Sequence, residues 1–150
     1  SAETMKDVIP DTDFLTSEFT SPQQIANHIK KGDITAFCTG SSGSFDIHFF
    51  EGYPSVEILD KFPISIRLAL DVQGGSIQFC DLFWLSKWNT DFPQNQIIAL
   101  PDGYYEMTVC TCLPESGCWG DEQTIYIYFS KVDKIPELTW TGVPYLFTEE

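Results

Sequence analysis

The side chains best able to do chemistry in this sequence are five cysteines, Cys38, Cys80, Cys110, Cys112 and Cys118, and two histidines, His28 and His48. Cys110 and Cys112 stand two apart in a strand-like stretch, so both thiols project from the same face. A zinc site wants four ligands, usually with Cys-x2-Cys spacing. Cys118 follows six residues later, no histidine is close, and the fourth ligand would have to be Cys38, Cys80 or a carboxylate. No metal is therefore expected, and the small residues read as filling a packed strand face. An odd cysteine count leaves at least one thiol unpaired in a monomer. Free thiols that behave as small hydrophobes, and a cytoplasmic location, are the expectation. A Cys–His nucleophilic pair must meet within hydrogen-bond reach, and no cysteine here sits in a motif of that kind. His28, beside Lys30 and Lys31 on a helix, and His48, on the polar face of a strand, are both expected in solvent.

Carboxylates are the other chemical resource. Asp and Glu number 22 against eight Lys plus Arg, a formal net charge of -14. A glycosidase needs two carboxylates held across a cleft, and nothing marks out two among so many. Asp11-Thr12-Asp13 lacks the rest of an EF-hand, and Gly40-Ser41-Ser42-Gly43-Ser44 lacks the lysine and following helix of a phosphate-binding loop. With no catalytic motif, neither an enzyme nor a cofactor is expected. The charge repels nucleic acid and anionic membrane and favours a basic protein partner. Two segments suit such a partner. The loop Pro114 to Gln123 combines Trp119 with Glu115, Asp121 and Glu122, and Asp81, Phe83 and Trp84 open an aromatic-rich stretch. Aromatic anchors among carboxylates on a loop are what a basic surface would select. Tyr104, Tyr126 and Tyr128 are expected to point outward from their strands.

The elements that must position these residues are mostly strands. A chain of 150 residues fits one domain, with residues 1 to 20 an extended or irregular arm that Phe14, Leu15 and Phe19 can pin to the core. One helix is predicted over 22–31. Ser21 can cap it, Pro22 suits its first position, Gln24 completes a capping box, and Gly32 can end it in a left-handed turn. Beyond it the period is two. Strands are predicted at Ile34 to Cys38, Phe45 to Phe50, Ile64 to Val72, Ser76 to Cys80, Gln96 to Leu100, Tyr104 to Leu113 and Thr124 to Phe129. Gln73-Gly74-Gly75 reads as a hairpin turn and Pro101-Asp102-Gly103 as a second turn. Asp81 to Trp88 reads as one or two helical turns or a loop, and Leu138 and Trp140 as a last short strand. The expected fold is mostly β: an antiparallel sandwich or partly closed barrel of six to seven strands with one short N-terminal helix. No run approaches the ~20 apolar residues of a membrane helix. Ser1 to Asp13, acidic and broken by Pro10, is not expected as a signal peptide.

The strand, turn and strand from Ile97 to Val109 centre on Leu100-Pro101-Asp102-Gly103-Tyr104-Tyr105. This stretch resembles the late hairpin of the small β-sandwich inhibitors that neutralise bacterial competence nucleases. It is also similar to hairpins in immunity proteins of bacterial toxin systems. The resemblance implies an acidic inhibitor or immunity-type protein that blocks a basic nuclease or toxin, and it assigns no site residues. The alternative expectation is a ligand-binding β-sandwich, for example for carbohydrate, with outward Trp and Tyr stacking on sugar rings.

Overall fold

The computed structural model describes residues 1–139 and 141–147. The period-two stretches become strands β1 (Phe45–Glu51), β2 (Ile64–Val72), β3 (Ser76–Gln78), β4 (Ile97–Ala99), β5 (Gly103–Thr111) and β6 (Gln123–Val132). Four of them form a sheet in the order β1-β6-β5-β2, and β3 and β4 form a second, small sheet. The alternation puts Ile47 and Phe49, Ile125, Ile127 and Phe129, Met107 and Val109, and Leu68 and Leu70 into one core. Ile77 and Leu100 join it from the small sheet's side.

The mostly-β expectation holds, but the sheet is neither all antiparallel nor closed. β1 runs parallel to β6, pairing Phe45 with Gln123, while β2–β5 and β5–β6 are antiparallel. The cause is the crossover between β1 and β2, which occupy opposite edges. It carries a helix that the sequence reading missed, α3 (Val56–Lys61), capped by Ser55. Phe62 then packs on Tyr126, 4.5 Å between rings. Tyr126 is the cross-strand neighbour of Cys110, so the outer face is partly covered too. Cys110 is fully buried, and Tyr128, expected outward, is buried beneath Phe50 at 4.9 Å.

The two predicted turns are not hairpin tips. β2 pairs with β5 and β3 with β4, with Val72 opposite Gly103 and Ser76 opposite Ala99. The segments 73–75 and 100–102 therefore face each other as one kink in a long antiparallel ribbon. Leu100 N donates to Gly75 O at 3.0 Å and Gly75 N to Asp102 Oδ1 at 2.7 Å. Gly75 has φ +73°, which an L side chain rarely adopts, and open space around its Cα. The kink turns the small sheet onto the apolar face of the large one. The stretch Ile97 to Val109 consequently spans two sheets instead of forming a hairpin.

Other expectations change as well. Residues 1 to 20 are not an extended arm. They form a short 3-10 turn (Glu3–Met5) and a helix α1 (Phe14–Glu18) capped by Asp13. Met5, Phe14 and Phe19 join Leu85, Trp88 and Phe92 in a second core. The predicted helix is α2 (Pro22–Lys31), with the capping box formed and Gly32 left-handed at its end. His28 is not in solvent. It sits against Phe14 at 5.3 Å and bonds Asp33 through Nδ1 at 2.9 Å, with a side chain 13% exposed. His48 is half-exposed and bonds Asp46. Ile34 to Cys38 is no strand, since it finds no neighbour beyond one bridge from Cys38 to Tyr145. Asp81 caps a 3-10 helix, Leu82–Lys87. Leu138 lies outside any strand, and Trp140 lies outside the described residues. No helix among the described residues is long and apolar enough to cross a membrane.

Candidate functional site

Where the kinked ribbon folds back, it does not close on the large sheet. A cavity of about 550 Å³ lies between them. Its floor is the large sheet's apolar face, including Ile47, Phe49, Ile125 and Phe129. Ile77 and Phe79 line it from β3 and just beyond, and the segment from Ile34 to Thr39 forms another wall. Leu82, Phe83 and Leu85 from the 3-10 helix, and Trp88 just after it, complete it. Leu82 and Phe83 are 48% and 77% exposed, so apolar surface continues from the cavity to solvent.

The polar groups of this lining are few and distinctive. Thr35 Oγ1, Gln78 Oε1 and Gln96 Oε1 are buried and have no hydrogen-bond partner among the described residues, and all three residues line the cavity. Buried polar atoms are nearly always paired, because each unpaired one costs about 1–3 kcal/mol. Cys38 and Cys80 also line it. Burial first, and the Asp81 charge second, push the Cys80 thiol up to about 11. It is therefore a neutral thiol near neutral pH and a poor nucleophile. All five cysteines are free of disulfides, and no group of three or more metal-ligating side chains occurs among the described residues.

The seven residues that sequence singled out fall in two places. Asp81 and Phe83 line the cavity. Asp81 accepts from Phe83 N at 2.8 Å. Trp84, next to them, turns inward instead, stacking on Phe92 at 4.6 Å and donating from Nε1 to Asn89 O at 3.1 Å. The other four lie on the loop between β5 and β6. Glu115, Asp121 and Glu122 are exposed there. Trp119 is half-buried, its ring tilted against Phe147 at 6.4 Å. That loop is anchored by fully buried Gln123, which accepts from Gly120 N and donates to Thr111 Oγ1, both at 2.9 Å. Thr35, Gln78 and Gln96 escaped the sequence reading. Only their polarity within apolar stretches hinted at them, and only the kink makes them neighbours of one cavity. In comparisons with known proteins, no family model, no curated protein and no solved structure matches this chain.

Proposed function

We propose that this chain is a binding protein that holds a mostly apolar small molecule between its two sheets. The observation that carries the reading is the interlayer cavity whose buried Thr35, Gln78 and Gln96 oxygens lack partners. Ligand pockets are typically apolar, roughly 300–1,000 Å³, with a few polar groups that orient the ligand, and about 550 Å³ falls within that range. The ligand is apolar in preference to a sugar. Trp88 is buried, Trp84 stacks on Phe92 and Trp119 leans on Phe147, which leaves none of these three rings free as a stacking platform. The test is saturable binding of the neutral fluorophore N-phenylnaphthylamine, followed by its blue-shifted emission. Ala36, on the cavity wall, replaced as Ala36→Trp, should fill the space and cut affinity at least about tenfold while the far-ultraviolet circular dichroism stays unchanged. No saturable binding by the wild-type chain would remove the reading.

A second reading is an acidic inhibitor of a basic protein such as a nuclease or toxin. It is favoured by the net charge of -14 and by three exposed carboxylates on one loop, Glu115, Asp121 and Glu122. Carboxylates there would steer a basic partner and raise its association rate.

A further inference from the structure

We infer that the cavity selects an electrically neutral ligand carrying a hydrogen-bonding group, and rejects an organic anion of the same shape. This rests on the cavity being a binding site.

The argument starts from what an anion would need. A carboxylate or sulfonate taken out of water must recover its hydration from a counter-ion or several donors, or its burial is strongly unfavourable. No lysine, arginine or histidine side chain lines the cavity among the described residues. Ser1 also lines it, and its hydroxyl side chain carries no charge. The charged side chains of the lining are Asp33 and Asp81, both of the wrong sign. An acid would meet repulsion from them and from a surface of net charge -14.

A cation is disfavoured for a different reason. Each lining carboxylate already has one of its two oxygens paired within the protein. Asp33 Oδ1 lies 2.9 Å from His28 Nδ1, and Asp81 Oδ1 accepts from Phe83 N at 2.8 Å. What remains without a partner is one hydroxyl oxygen and two amide oxygens, since Gln78 Nε2 already donates to Ser76 Oγ at 3.3 Å. The amide oxygens accept, the hydroxyl can accept or donate, and none carries a charge. They match an alcohol, an amide or a secondary amine of low basicity on an apolar body. A single donor on such a ligand can pair with one of these oxygens and brings no charge to bury.

The experiment compares two fluorophores on one skeleton. N-phenylnaphthylamine is neutral and has an N–H donor, and anilinonaphthalene sulfonate adds one negative charge. The neutral probe should bind at least about tenfold more tightly, and the preference should persist in 1 M salt, where the Debye length falls to about 3 Å. Displacement of the neutral probe by octanol, octanoate and octylammonium should rank the alcohol first. The double variant Gln78→Leu with Gln96→Leu should keep binding plain naphthalene and lose the advantage of the N–H probe. Equal binding of the sulfonate, or a preference that vanishes in high salt, overturns the inference and leaves the cavity as a site. Octylammonium displacing better than octanol overturns it in favour of the carboxylates as the recognising groups. Failure of every probe, naphthalene included, sinks the binding reading itself.

Discussion

Thr35 shows how a single buried oxygen can point to a function. Its Oγ1 is buried without a partner, so the free protein carries a desolvation cost that a methyl group would not. Thr35→Val should therefore raise the stability of the ligand-free chain by about 1 kcal/mol, read as a higher melting temperature. Most core substitutions do the reverse. A fall in melting temperature would mean that the hydroxyl is satisfied and the cavity less unusual than it looks. Cys80 gives a residue-scale expectation with a sign. Its thiol titrates near 11 in the fold against an ordinary value of 9.0. Between those values the folded state keeps a proton that the unfolded chain has lost, so stability present below about pH 9 declines as pH rises toward 11. Cys110 is shifted upward by burial as well, while Cys118 is exposed. Alkylation of the native protein at mildly alkaline pH should label Cys118 well before Cys80 or Cys110, as peptide mapping by mass spectrometry would read. Labelling of Cys80 first would show that its wall of the cavity opens readily.

At the scale of elements, the kinked ribbon decides most. The hydrophobic pattern of β2 and β5 was legible because each buries one face, and a slip of one residue would turn every apolar side chain outward. The partner of each strand was not legible. Gly74-Gly75 and Pro101-Asp102-Gly103 are turn chemistry whether they close a hairpin or bend a ribbon, and only the facing of the two segments chooses between them. The loop between β5 and β6 illustrates the opposite case, since its exposure was readable from its polarity. Asp121→Lys with Glu122→Lys should leave the melting temperature nearly unchanged, because exposed charges contribute little. If the acidic reading is right, the same variant should associate more slowly with a basic partner, and the difference should shrink with salt. Unchanged kinetics and salt slope, measured by stopped flow, would place that contact elsewhere.

At the scale of the whole molecule, charge and cavity are two separate properties. A formal charge of -14 on a chain of 150 residues opposes compaction through self-repulsion. Moderate sodium chloride should therefore raise the melting temperature before any specific ion effect enters, and scanning calorimetry over a salt series would read it. A melting temperature that falls with salt would show that favourable ion pairs outweigh the repulsion. The five ion pairs among the described residues argue against that outcome. They include two that involve histidine, two on largely exposed side chains, and Arg67–Glu106, whose glutamate is 21% exposed.

The sequence by itself determined whatever depends on near neighbours along the chain. That covers the capped helix from Pro22 to Lys31, the period-two strands with their buried faces, the exposed acidic loop and the excess of carboxylate. These follow from local hydrogen bonding, from side-chain alternation and from counting charges, none of which needs a second segment. The tertiary structure alone decided that β1 lies parallel to β6, that the ribbon bends, that Ile34 to Cys38 joins no sheet beyond one bridge at Cys38, and that Thr35, Gln78 and Gln96 border one cavity. Each of these depends on which distant segment a strand meets. Backbone groups pair equally well with many partners, and the choice among them is made by how the apolar faces fill space together.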